Sequence, residues 1–346
     1  MTRALFVVCS ALAATCGAGA AHAQSAPSLP TFASLSAADS VPLAQVQAVP
    51  GVALGDGGAL PAATQRTADG YRVWTSVGAF SSRVGSQGDI PGSKTTGAAL
   101  TLGIEKQVTP ELLMGVAISP GYAQTRGAAS SSHADTLTGS VYAALRAPSG
   151  LEADAAFGFG GARLRSSHVV FTGQDLVSVN GSADATLWSA STSAGWRFRF
   201  PMSSGVASFK PFVAATAAGQ SRDGYTESGA GGVALYFPQR TVSQVTGYLG
   251  AAFALDLHGP GDWLMRPEIK AAWANDLVHP SLTTFASYGA TPLTLRDADP
   301  GRSGALIDAS LTMWRAGSIA LDAGYAVELR RNATSQVVHA GVRVFW

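Results

Sequence analysis

Cysteine is nearly absent: the 346 residues contain two, Cys9 and Cys16. Both fall within Met1–Ala23, where Arg3, the apolar run ALFVVCSALAATCGAG and the small-residue pattern AHA before Gln24 predict a secretory signal peptide, delivered to the secretory translocon and removed. The mature chain (residues 24 onward) then has no cysteine, which excludes disulfides, thiol nucleophiles and thiolate metal sites. Beyond the signal no run of about 18 apolar residues occurs, so no membrane-spanning helix is expected. Charge is scarce as well, at 13% of residues. Without Arg3 the 23 basic residues become 22, against 22 acidic, and this balance excludes the basic excess of a nucleic-acid binder. The loops hold His133 near Asp135, His168 near Asp175, and His279, the ingredients of hydrolytic chemistry, yet no G-x-S-x-G motif surrounds them. No close histidine pair suggests a metal ligand set, and the GAGG at 229–232 lacks the lysine and helix of a phosphate loop. No catalytic residue, cofactor or metal is therefore expected.

What the chain does have is alternation. In the final stretch VVHAGVRVFW, Val338, Ala340, Val342, Val344 and Trp346 share one register, while His339, Gly341 and Arg343 fall in the other. That is the period of a strand. From Tyr71 onward about twelve such segments follow one another. One register is apolar and the other collects charges of both signs: Glu152, Asp154, Arg197, Arg199, Arg266, Glu268, Lys270, Asp322, Glu328 and Arg343. Such charges are expected on a water-facing lumen wall, because on a lipid face each costs up to about 2–4 kcal/mol. The connections also alternate, long and polar after one strand and tight after the next. VGSQGDIPGS is followed by VTP, RGAASSSH by PSG, and SSHVVFTGQDLVSVNGS by PMSSGV. The pattern predicts an all-β, 12-stranded antiparallel transmembrane β-barrel in the outer membrane of a Gram-negative bacterium, with short periplasmic turns and long extracellular loops. Three regions result: the signal peptide (1–23), a low-complexity segment rich in Ala, Pro, Ser and Gly (24–70), and the barrel (71–346).

Over the barrel region the residues FKPFVAATAAGQ, VSQVTGYLGAAFALDL, WLMRPEIKAAWANDL, GALIDASLTMW, IALDAGYAVELR and VVHAGVRVFW resemble the β-domain, or translocator, of autotransporters. The resemblance implies a barrel in contact with outer-membrane lipid and inserted by the outer-membrane assembly machinery. That machinery would recognise the last strand, including Val338, Ala340, Val342, Val344 and Trp346. It also implies type V protein secretion, with an N-terminal passenger reaching the surface through the barrel. Residues 24–70 would be that passenger, a linker or a plug; they contain no Asn, so the family's self-cleavage at paired asparagines is not expected. The alternative is a passive pore or structural barrel without a passenger, with a barrel enzyme ranked below both.

Overall fold

Segments that alternate large apolar with small or polar residues can satisfy their backbone in a membrane only by pairing side by side in a closed ring. The computed structural model describes residues 71–345 apart from 129, 172–175, 230–233 and 316–318; the signal peptide, the segment 24–70 and Trp346 lie outside the described residues. The first strands are β1 (Tyr71–Val84), β2 (Ser93–Gln107), β3 (Leu112–Arg126), β4 (Ser130–Arg146), β5 (Leu151–Phe171) and β6 (Leu176–Trp196). Next come β7 (Phe198–Met202), β8 (Gly205–Arg222), β9 (Tyr225–Thr226), β10 (Ser228–Gly229), β11 (Tyr236–Phe237) and β12 (Arg240–His258). The last are β13 (Trp263–Val278), β14 (Thr283–Tyr288), β15 (Thr291–Arg296), β16 (Ser303–Arg315), β17 (Ile319–Arg330) and β18 (Ala333–Phe345).

Twelve staves form the wall in the order β1 to β6, β8, β12, β13, β16, β17 and β18, all antiparallel to their neighbours. The ring closes where β18 pairs with β1, from Arg72 opposite Phe345 to Val84 opposite Ala333. Both chain ends of the wall therefore meet at one rim. The tight turns lie at that rim: Ala147 N donates to Leu151 O at 2.8 Å, and Gly150 takes a φ of 99° to turn the corner.

Side chains sort by parity around the whole ring. Val141, Phe159, Leu249 and Trp273 point outward and are each more than half exposed, at 54, 58, 59 and 55%. Their inward neighbours include Tyr142 and Ala272, both buried. Two inward glycines receive aromatic rings from the next strand: Trp74 lies across Gly103, its partner in register, and Phe80 across Gly97. A Cβ on Gly103 would sit 2.3 Å from the Trp74 ring. Gly103→Val is expected to cost about 1–3 kcal/mol through overpacking. In urea titrations of the refolded barrel, the loss in a Gly103→Val/Trp74→Ala double variant should be smaller than the sum of the single losses.

Three expectations differ from what forms. The stretches RGAASSSH (126–133) and Ser166–Asp184, expected as loops, are mostly wall: β3 runs to Arg126 and β4 starts at Ser130, and β5 and β6 continue in register up to Phe171 opposite Leu176. The β-branched Val169, Val170, Val177 and Val179 carry that extension above the membrane zone. The sixth stave is not one unbroken strand but is interrupted at Arg197, with β7 continuing it toward the rim. The long loops after β8 and β13 are not irregular; they build a separate sheet in the order β15-β14-β11-β9. Its β14–β15 hairpin turns through Gly289 (φ 56°), between Tyr288 and its partner Thr291.

Candidate functional site

Inward parity concentrates charge in the wall, and pairing between strands decides which charges meet. At the rim holding the strand termini, Glu105 of β2 is the anchor. Arg343 of β18 places Nε 3.0 Å from Glu105 Oε1, and Arg72 of β1 places Nη1 3.7 Å from the same oxygen. Tyr142 OH donates to Glu105 Oε2 at 2.9 Å, and Trp74 Nε1 donates to Tyr142 OH at 2.6 Å. One carboxylate thus ties the last strand to β1, β2 and β4 across the seam where the barrel closes. All five side chains are buried.

A second cluster reaches across staves that do not touch in the sheet. Arg197 donates to Glu152 of β5 at 2.7 Å and approaches Glu268 of β13 at 3.7 Å. Lys210 of β8 donates to Glu152 at 3.1 Å, and Lys270 lies 3.2 Å from Glu268 and 3.8 Å from Asp308 of β16. Beside it Arg146 donates to Asp154 Oδ1 at 2.6 Å, and Ser193 donates to Asp154 Oδ2 at 3.1 Å. A third group lies at the end of the long loops, where Arg330 pairs with Asp276 at 2.8 Å and Glu328 at 2.6 Å. Between these charged levels an apolar inner layer includes Phe80, Leu164, Leu187, Phe212, Tyr248 and Leu306.

The residues expected on the wall take these places. Glu152, Asp154, Arg197, Arg266, Glu268, Lys270, Glu328 and Arg343 are buried and inward. Asp322 is inward but partly exposed, 3.7 Å from His339. Arg199 keeps the inward parity, opposite the buried Ser208, but it stands at the rim on β7, in which every residue is exposed. Val338, Ala340, Val342 and Val344 face outward on β18. The same parity that marked Arg343 would have marked Glu105, Lys210 and Asp308; Lys210 and Asp308 are lone charges between apolar neighbours in FKPF and LIDAS, while Glu105 is followed by the outward Lys106 in GIEKQ.

Outside the membrane zone the loop sheet covers its own small core of Val179, Tyr225, Leu235, Phe237, Ala286 and Leu295. Beside it, His168 Nδ1 of β5 lies 3.3 Å from Glu227 Oε1 in the loop after β8, both side chains buried. Burial pushes the Glu227 carboxyl up to about 7, against a backbone hydrogen bond from Leu235 that pulls it down. Burial pushes the His168 imidazole down to about 4. The raised carboxyl favours the closed loop below the ordinary glutamate range, and that contribution is lost as pH rises through about 7. The lowered imidazole acts in the opposite sense, its contribution being lost as pH falls from the ordinary histidine value toward about 4. The loop after β8 should therefore become more sensitive to protease as pH rises toward about 7, with no further change above it. Glu227→Gln should abolish that step, and an unchanged step in this variant would refute the assignment.

A closed antiparallel ring of twelve staves, apolar outside and charged inside, with short turns at one rim and the longest connections, those after β8 and β13, at the other, defines an outer-membrane barrel. The autotransporter beta-domain family model matches residues 73–326, and the chain belongs to that family. It is a protein of the Gram-negative outer membrane, with the tight turns on the periplasmic side. The fold is similar to the translocator domain of the autotransporter NalP from Neisseria meningitidis, with a TM-score of 0.61 at 15% identity, covering 82% of this chain and 91% of that one. It is also similar to the beta domain of the Bordetella autotransporter BrkA (TM-score 0.57, 14% identity, 80% of this chain and 100% of that one). The transport unit of AIDA-I from Escherichia coli gives a TM-score of 0.57 at 13% identity over 82 and 92% of the two chains. No curated protein sequence matches the chain.

Proposed function

We propose that the barrel translocates residues 24–70, or displays them at the cell surface, by way of its lumen. The observation that carries this reading is the inner wall: buried, paired charges of both signs begin at the rim where β1 starts, so a chain leading into Tyr71 arrives at the charged mouth of the barrel interior. Family membership supports the same direction of travel. The secretory translocon delivers the chain to the periplasm, and the outer-membrane assembly machinery inserts it by recognising the outward face of β18, with Val338, Ala340, Val342, Val344 and the terminal Trp346. No catalytic role is assigned to the histidines. His279 illustrates why: its ring nitrogens face Asp276 at 3.0 Å and Asp299 at 3.5 Å, not a hydroxyl nucleophile.

A tag inserted near Ser36 tests the proposal. Protease added to intact cells should cut the tag, or the tag should be protected within the barrel and alter its conductance when deleted with residues 24–70. Protease accessibility only after the outer membrane is opened, with conductance unaffected by the deletion, would replace the proposal with a passive structural barrel.

A further inference from the structure

The outward face of the barrel changes character above its apolar belt. On β2 the outward residues are Ala98, Leu100, Leu102 and Ile104 through the belt, then Thr96, then Lys94. Lys94 stands four residues beyond Ala98, about 13 Å along the strand and roughly 10 Å along the membrane normal at a tilt of about 40°. That height is the headgroup zone of the outer leaflet.

At this height register brings three cations together. Lys94 is directly opposite Arg83 of β1 on one side and Arg126 of β3 on the other. Side chains opposite one another across strands have Cβ atoms about 5 Å apart, and like charges so placed repel. Among the described residues none of the three forms an ion pair; Arg126 donates only to the Gln124 amide oxygen, at 3.3 Å. Of the outward carboxylates on neighbouring strands, Asp135 is engaged with His133 at 3.0 Å and Asp184 with Arg163 at 3.5 Å; the exposed Asp89, in the hairpin between Arg83 and Lys94, forms no ion pair with the row among the described residues. The far side of the barrel differs, carrying uncharged Ser221, Thr241, Asn275 and Ser303 at its outward extracellular ends.

A second feature adjoins the cationic row. Ser131, the partner of Arg126 across β3 and β4, lines a groove of about 510 Å³ together with Gln124, His133, Ser167, Asn180 and Ser182. Apart from the Arg165 guanidinium, the polar side chains of the lining are hydroxyl, amide and imidazole groups, which suit a sugar. His133 stacks on Tyr122 at the boundary with the belt, with ring centroids 6.4 Å apart.

We propose that Arg83, Lys94 and Arg126 bind the phosphate of a phosphorylated glycolipid of the outer leaflet, with its sugar in the adjoining groove. A lipid anion supplies the counter-charge that the row lacks, and it lies at the height where the row stands. The inference rests on the orientation of the barrel, not on passenger translocation, so the two fail separately.

The test uses the full-length protein in detergent and native mass spectrometry with three probes: bisphosphorylated lipid A, its dephosphorylated form, and inorganic phosphate. Wild type should retain the bisphosphorylated lipid, and an Arg83→Gln/Lys94→Gln/Arg126→Gln variant should bind it more weakly by a factor on the order of a hundred, as expected for three basic residues at an anionic membrane surface. Heat-modifiable mobility on gels reports whether the variant is folded; if it is not, Lys94→Gln alone should weaken binding about fivefold. Equal retention by the folded variant would overturn the proposal. So would equal retention of the dephosphorylated lipid, or full displacement of the lipid by millimolar inorganic phosphate, which would indicate a site for free anions.

Discussion

Glu105→Gln should strongly lower the folded fraction of the barrel. Glu105 faces both Arg72 and Arg343, accepts a hydrogen bond from Tyr142, and is 1% exposed. Removing its charge leaves two buried guanidinium groups, on the first strand and the last, without their shared anion. Breaking a buried ion pair in this way costs about 3–5 kcal/mol. The loss falls at the seam where β18 must find β1, so it should appear in closure as well as stability. Refolding into lipid vesicles, followed by heat-modifiable mobility, should show less folded species and a lower urea midpoint. An Arg343→Gln/Glu105→Gln double variant should recover part of the loss, because it removes a surplus cation along with the anion. An unchanged midpoint in Glu105→Gln would mean that the seam is held by its backbone pairing alone.

The second large effect concerns facing. Tyr325 of β17 is outward and 46% exposed, and its neighbour Gly324 is inward, paired in register with His339. Tyr325→Arg places a guanidinium in lipid and should cost about 2–4 kcal/mol near the bilayer midplane. Gly324→Arg points the same group toward the lumen, beside the partly exposed Asp322, and should cost clearly less. Ala326 shares the inward parity of Gly324 but is not an equivalent control. It is fully buried in the apolar inner layer with Phe212, Tyr248 and Leu306, so an arginine there would be crowded. Urea midpoints of the variants should rank Gly324→Arg above Tyr325→Arg. The reverse order would mean that the register of β17 is inverted.

Much of this was legible in the chain itself because its determinants are local. Alternation assigned Leu321 and Tyr325 to lipid and Glu328 to the lumen, and terminal parity did the same for Val342 and Arg343. An even strand count placed both strand termini at one rim. The errors were also local in origin. The valines of 169–179 extend β5 and β6 where polar neighbours had suggested a loop, and the hairpin through Gly289 was hidden within a long connection.

Which charges meet was not legible. The partners Glu105 and Arg343 are far apart in sequence, and Arg197 reaches Glu268 across two intervening staves. The row Arg83, Lys94 and Arg126 likewise exists only because three strands align at those positions. Parity says on which side of the wall a side chain stands. Its height along the wall depends on the stagger between strands, which is fixed by backbone hydrogen bonds around the whole ring when β18 closes on β1. The sequence alone therefore determined the faces, the strand number and the orientation, while tertiary closure decided which residues became neighbours.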